Sequence, residues 1–246
     1  MLLPVYAIIQ ARLGSERLPQ KVLKPINGMP MLGYQLERLQ TQFPELQLII
    51  ATTNEPADQA LRDYCVHNNV NFYAGSESDV LDRFYECIQA LNLPTESRLI
   101  RLTADCPLIC PGLIKALLKQ YDIEQADYGR IDTDSFPRGV DAEVFTVEML
   151  TEAHTNATSA HEREHVTPYF YRNDSSYRQT RLINKRGNHS HYRLCVDEPD
   201  DFRLVTELIN DIGNQWVDAG YKQLSQYLEQ HPEITSINAD VEQRHI

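Results

Sequence analysis

The sequence predicts an α/β protein in which a mixed, mostly parallel sheet carries helices on both faces, a three-layer, doubly wound arrangement. Three observations predict it. Short apolar runs alternate four times with segments of helical periodicity in the first half of the chain. Val5 to Gln10 is apolar at nearly every position, as a strand covered on both faces requires. The length, 246 residues, suits one large domain with enough chain to bury a core.

Taken in order, Val5 to Gln10 is the first strand, and Met31 to Gln40 a helix, with Met31, Tyr34, Leu36 and Leu39 at helical spacing after Gly28 and Pro30. Leu46 to Thr52 and Val70 to Tyr73 read as the second and third strands, with a helix from Asp58 to His67 between them. Asp79 to Leu91 places Val80, Leu81, Phe84, Ile88 and Leu91 on one helical face. Leu99 to Leu102 is the fourth strand, ending in Thr103-Ala104-Asp105-Cys106-Pro107, and Leu113 to Tyr121 a helix. The pattern then loosens. Val140 to Thr146 alternates like an antiparallel strand, Glu162 to Tyr171 is mixed helical, and Arg178 to Ile183 reads as a strand. Tyr192 to Val196 is predicted as a final core strand and Pro199 to Ile212 as the helix after it. Residues 1–246 are therefore read as a single domain with 130–190 as a less regular subregion.

The formal net charge is -12, which disfavours broad affinity for nucleic acid or an anionic membrane. No apolar run reaches the roughly 20 residues of a membrane span, and MLLPVYAIIQARLG has no basic leader or small-residue cleavage site. Five cysteines, an odd number, suit reduced thiols. A cytoplasmic protein is the expectation.

Against this acidic background, residues 12–24 carry Arg12, Arg17, Lys21 and Lys24 and only Glu16. A basic loop at the end of a buried strand is a natural receptor for an anion such as a polyphosphate, with Gly14 and Ser15 permitting a tight turn. It follows neither the G-x-x-x-x-G-K-[ST] nor the G-x-G-x-x-G order. A solvated basic turn is the alternative. Doubly wound sheets bind ligands beyond the carboxyl ends of their strands, where the basic loop and Asp105 both fall. Asp105 reads either as a ligand for a hard cation such as Mg2+ or as a turn aspartate. Asp197 reads as a ligand from a second strand end or as a cap for the following helix, with Asp201 as an alternative ligand. Asp141 and Glu143, on one face of a strand near Arg138, can bond sugar hydroxyls or face solvent. Asp79 and Arg83, one helical turn apart, can hold a base or pair with each other. His165 reads as a substrate contact or a core histidine; His161 precedes it by four residues, but a zinc site lacks a third ligand. Cys106 and Cys110 read as small buried residues.

The stretch Ala11-Arg12-Leu13-Gly14-Ser15-Glu16-Arg17-Leu18-Pro19-Gln20-Lys21 resembles the A-R-x-G-S-x-R-L-P-x-K motif of the cytidylyltransferases that make CMP-KDO and CMP-acylneuraminate type sugar acids. Asp79-Val80-Leu81-Asp82-Arg83, Thr103 to Pro107, Phe136-Pro137-Arg138-Gly139-Val140-Asp141, Arg163 to Tyr169 and Val196 to Phe202 agree in the expected order. The chain most resembles the spore coat polysaccharide biosynthesis branch of that superfamily. The resemblance implies a Rossmann-like nucleotidyltransferase fold related to GT-A enzymes, with 130–190 serving substrate binding and dimerisation. It implies catalytic roles for Arg12, Lys21, Asp105 and Asp197, the two aspartates holding Mg2+. Nucleotide binding is implied for Ala11, Arg12, Gly14, Ser15, Arg17, Lys21, Asp79, Arg83 and Asp105, and substrate binding for Arg138, Asp141, Glu143, His165 and Arg172.

The expected reaction is transfer of CMP from CTP to a sugar acid with release of pyrophosphate, in a cytoplasmic homodimer without nucleic-acid or membrane partners. A sugar-1-phosphate or polyol-phosphate nucleotidyltransferase is the alternative within the chemistry. Asp132-Thr133-Asp134 supplies the Asp-x-Asp motif of a rival GT-A glycosyltransferase, and a noncatalytic nucleotide-binding protein is the rival of another class.

Overall fold

In the computed structural model, residues 4–172 and 177–242 are described, the Arg172 side chain excepted. β1 (Val5–Gln10) leads into a basic loop and a small hairpin of β2 (Pro25–Ile26) and β3 (Met29–Pro30). Helix α1 (Met31–Gln42), β4 (Gln47–Thr53), α2 (Gln59–His67), β5 (Asn71–Gly75), α3 (Val80–Ala90) and β6 (Arg98–Thr103) then repeat the strand-helix unit. Helix α4 (Pro111–Glu124) follows, then β7 (Tyr128–Ile131), β8 (Glu143–Thr146), α5 (Val147–Asn156), α6 (Ala160–His165), α7 (Pro168–Arg172) and β9 (Gln179–Leu182). Helices α8 (Pro199–Ile212), α9 (Tyr221–Gln230) and α10 (Pro232–Thr235) close the described chain.

Seven strands form one sheet in the order β5-β4-β1-β6-β8-β7-β9. Only β8 runs against its neighbours. The mixed, mostly parallel sheet expected from the sequence is thus observed. Successive side chains of a strand point to opposite faces, so each face builds its own core. Ile9, Ile50 and Ile100 pack with Leu32, Leu39, Leu117 and Leu204 on one side. Ile8, Ile49 and Leu99 pack with Phe84, Ile88, Leu150 and Phe170 on the other. The chain order reverses between β1 and β6, and this switch point opens the crevice where ligands bind in such sheets.

Two readings are corrected. Tyr192 to Val196 is not a strand: it makes a single bridge, Arg138 with Arg193, and its other backbone bonds go to different partners. Leu194 N donates to Arg138 O at 2.7 Å and Val196 N to Asp105 O at 2.8 Å, so the segment crosses from one loop to another without a continuous ladder. Leu194 and Val196 are buried, which produces the strand-like apolar pattern. Conversely, β7 is a core strand that sequence periodicity left unread; its four residues include Gly129 and Arg130. Gly129 is required there, because a Cβ would lie 2.8 Å from Val144 and 2.9 Å from Thr180 on the flanking strands.

Buried Arg38 on α1 ties the C-terminal part of the chain to this frame. Its guanidinium donates to the carbonyls of Ile109 at 2.8 Å and Ala219 at 2.8 Å, and to that of Trp216.

Candidate active site

β1 pairs with β4 and β6 so that Gln10 lies level with Ala51 and Thr103. Ala11 N donates to Ala51 O and Ala104 N to Gln10 O, so the loops after β1 and β6 start at one height. The basic loop is then fixed mainly by its backbone. Leu13 N donates to buried Asp58 at 2.6 Å, while Ser15 N and Gln20 N both return to Leu13 O. Gln20 takes the left-handed conformation, φ 57°, that turns the chain toward Lys21. Gly14 makes the expected tight turn without a positive φ, Ser15 N closing back on Leu13 O at 2.9 Å, and Gln20 makes a second turn.

Anchoring Leu13 and Leu18 in the core leaves the intervening charged side chains facing the crevice. Lys21, 9% exposed, lies deepest. Its Nζ donates to Asp105 Oδ2 at 3.2 Å, Asp197 Oδ1 at 2.9 Å and the Val196 carbonyl at 2.7 Å. Arg17 reaches Asp197 and Glu198, both at 3.2 Å. Arg12 turns to the other rim and pairs with Glu77 at 3.1 Å. These groups line one cleft of about 450 Å3, with Gln10, Ala11, Gly14, Ser15 and Thr103 completing its wall.

Burial opposes charge on both Lys21 and Asp197, yet the partners win. Desolvation would lower the Lys21 pKa, but Asp105 and Asp197 raise it above its ordinary value. Desolvation would raise the Asp197 pKa, but Lys21, Arg17 and Arg193 hold it below the usual carboxylate range. Lys21 is therefore held charged between two aspartates, and Asp197 is held ionised by three cations. Two aspartates whose oxygens already converge on a single positive charge form a hard-oxygen donor set, and the residues fit a divalent cation of the Mg2+ type. Among the described residues, no group of three His, Cys, Asp or Glu side chains is arranged to hold a metal.

Asp197 does not cap α8: Glu198 is the capping residue, with Asp201 closing a capping box. Asp201 is fully buried with both oxygens bonded, pointing away from the cleft that it was an alternative ligand for. Asp141 does not line the cleft and accepts from Gly139 N at 2.7 Å. Burial raises its pKa against the opposing backbone N–H groups of Gly139 and Asp141 and the charge of Arg138, with Asp105 adding to the rise. Gly139 makes this packing possible. Its φ is +99°, and a Cβ would fall 2.4 Å from the backbone at Leu194 and Cys195.

Glu143 is engaged by Arg101 and by the Tyr128 hydroxyl. Asp79 caps α3 and accepts two bonds from Arg163, at 2.8 and 2.6 Å, rather than pairing with Arg83. Arg83 is buried and donates to the Ser76 carbonyl, its pKa depressed by burial and then by Arg12. His165 packs against His161 with ring centroids 4.6 Å apart and the rings tilted by 58°, and burial lowers its pKa. The Arg172 side chain lies outside the described residues. Asp132 and Asp134 are both tied to Arg181 on β9, so the Asp-x-Asp stretch serves a strand pair on the far side of the sheet.

Sequence reasoning missed Glu77, Gln10 and Arg193, and read Asp201 as an alternative ligand rather than as the partner of Arg193. Glu77 lies in a loop without a motif of its own. The four-residue spacing of Asp197 and Asp201 was visible, but the partner Arg193 sat in a segment read as a strand.

A cytidylyltransferase family model matches residues 6–237. The chain is 32% identical to the spore coat polysaccharide biosynthesis protein SpsF of Bacillus subtilis (strain 168), over 93% of this chain and 95% of that one. It is 28% identical to 3-deoxy-manno-octulosonate cytidylyltransferase 2 of Hydrogenovibrio crunogenus, over 72% of this chain and 74% of the relative. A solved cytidylyltransferase from Leptospira borgpetersenii superposes with a TM-score of 0.88 at 27% identity, covering 99% of this chain and all of that one.

Proposed function

The chain belongs to the cytidylyltransferase family, and on that premise we propose that it transfers CMP from CTP to a sugar acid of the octulosonic or nonulosonic type, releasing pyrophosphate, for surface polysaccharide synthesis. The observation that carries the reading is Lys21 Nζ held between Asp105 and Asp197 in a cleft walled by the basic loop. Cations and ionised carboxylates at one point suit a polyphosphate accompanied by a divalent metal, and the octulosonate-specific relative supports an acid as the acceptor.

The substrate hydroxyl attacks the α-phosphorus, the bond to the bridging oxygen breaks, and pyrophosphate departs. Little covalent work falls to the protein, so alignment and charge neutralisation dominate. Arg17 and Lys21 offset the charge that gathers on the leaving pyrophosphate. Arg12 exchanges Glu77 for a phosphate oxygen. Asp105 and Asp197 would hold Mg2+, which supplies Lewis-acid polarisation of phosphate oxygens when bound. Arg138 and Asp141 are assigned to the acceptor side of the site. Homodimerisation through residues 148–172 belongs to the same proposal and is read by light scattering.

The deciding experiment measures pyrophosphate release with each of CTP, UTP, ATP and GTP, against sugar acids and sugar phosphates, with and without Mg2+. Release confined to CTP, a sugar acid and Mg2+ is the expected result. Turnover only with a sugar 1-phosphate or polyol phosphate overturns the acceptor assignment, and release of a nucleoside mono- or diphosphate from a nucleotide sugar overturns the reaction class.

A further inference from the structure

Asp197 enters the cleft from an irregular segment rather than a strand, so something other than a sheet ladder must hold it. A buried polar network does. Arg193 Nη2 donates to Asp197 Oδ2 at 2.6 Å, leaving Oδ1 to Lys21 at 2.9 Å and Arg17 at 3.2 Å. The same guanidinium donates through Nε to Asp201 Oδ1 at 2.9 Å. Asp201 Oδ2 accepts the backbone N–H groups of Asp197 at 2.9 Å and Glu198 at 3.0 Å, which fixes the turn that carries the Asp197 side chain. Asn238, far along the chain in the turn after α10, donates to Asp201 Oδ1 at 2.8 Å and to the Arg193 carbonyl at 3.1 Å. Asp201 is 0% exposed, Asn238 5% and Arg193 8%.

We propose that Asp201 is a positioning residue for nucleotidyl transfer: through Arg193 and the Asp197–Glu198 backbone it aims one Asp197 oxygen at Lys21 and the reaction centre, with Asn238 locking the arrangement from the C-terminal segment. This rests on the proposed function for its link to turnover, while the aiming of Asp197 at Lys21 stands apart from it. Simple helix capping requires only the two backbone bonds. It does not require Asp201 to share an arginine with Asp197. An unshared buried carboxylate is costly, and the fork geometry of arginine lets one side chain satisfy both acids in fixed directions.

The test compares the parent with Asp201→Asn, Arg193→Lys and Asn238→Ala. The substituted amide of Asp201→Asn turns a donor toward either the two backbone N–H groups or Arg193, so the network cannot close. Three readouts are taken: labelling of Lys21 by an amine acetylating reagent without nucleotide, read by mass spectrometry; Mn2+ binding in the presence of CTP, read by electron paramagnetic resonance; and steady-state kinetics. In folded Asp201→Asn, Lys21 labelling rises several-fold, Mn2+ affinity falls about tenfold, and kcat falls about thirtyfold with a much smaller change in KM for CTP. Unchanged Lys21 labelling and Mn2+ affinity in a folded variant overturns the proposal. If Asp201→Asn does not fold, Arg193→Lys and Asn238→Ala decide it by the same measures, with parent-like values for both again overturning it. A parent enzyme that binds no CTP refutes the functional reading alone, because Lys21 labelling still reports whether the network aims Asp197.

Discussion

The parallel half of the sheet, β5-β4-β1-β6, and the irregular half, β8-β7-β9 with the segment running to Asp197, meet at one cleft but place their charges by different means. In the parallel half, ladder pairing sets the height of Gln10 and Thr103, and backbone bonds to Leu13 O and Asp58 shape the basic loop. In the irregular half, Asp197 is aimed by side chains, and the segment carrying it is admitted only because Gly139 lacks a Cβ. Backbone-set geometry survives most surface substitutions, since every residue type except proline supplies the same N–H and C=O. Side-chain-set geometry depends on a few identities. The cleft therefore has a robust cationic wall and a breakable acidic one, joined at Lys21.

The largest expected effect comes from cutting that join. Lys21→Ala lowers the rate of pyrophosphate release about a hundredfold or more, the loss of roughly 3 kcal/mol of transition-state stabilisation. Assayed with CTP at saturation, a variant that keeps parental turnover would remove Lys21 from the chemistry. Next comes the acidic wall. Gly139→Ala places a methyl group against the backbone at Leu194 and Cys195 in a strained left-handed conformation, and costs about 3 kcal/mol of stability. Thermal unfolding checks it, and a parental midpoint would show that the crossing is looser than its geometry.

Acid titration sharpens the comparison further. The folded-state pKa of Asp197 is depressed, so its ionic stabilisation is present above the unfolded value of about 3.9 and is lost as pH falls through the lower folded value. Urea unfolding of the parent and of Asp197→Asn between about pH 6 and pH 2 should show a stability gap that narrows at the acid end. A gap independent of pH would mean that Asp197 is held by shape instead of charge. The smallest effect is expected away from both charged walls. Gly112 lies in the first turn of α4 with nothing near its missing Cβ, and Gly112→Ala stabilises the protein by about 0.5–1 kcal/mol without altering turnover.

The same division decided what could be read in advance. Strands β1 and β4 bury both faces, so an apolar run marks each one, and α3 and α8 carry strongly one-sided apolar patterns. The Arg17, Lys21 and Asp105 neighbourhood was legible because loops at strand ends inherit their position from the sheet. Tyr192 to Val196 misled because burial and strand pairing produce one and the same apolar pattern, while only pairing makes a strand. Strand β7 was hidden by its brevity and by Gly129, whose role is close approach of its neighbours. Asp79 and Arg83 share a helix face on spacing grounds, yet Arg163, more distant in sequence, takes Asp79. Such long-range choices among charged partners leave no local periodicity to read.

Arg38 carries a last implication. Its guanidinium is sealed inside the molecule and leans on carbonyls from residues 216 and 219, which no one would assign to chemistry. Clipping the chain ahead of Trp216 would strand that positive charge in an oily interior with half its acceptors gone. A nick there would accordingly loosen the seat of the first helix, a loss that thermal unfolding of the clipped protein would read.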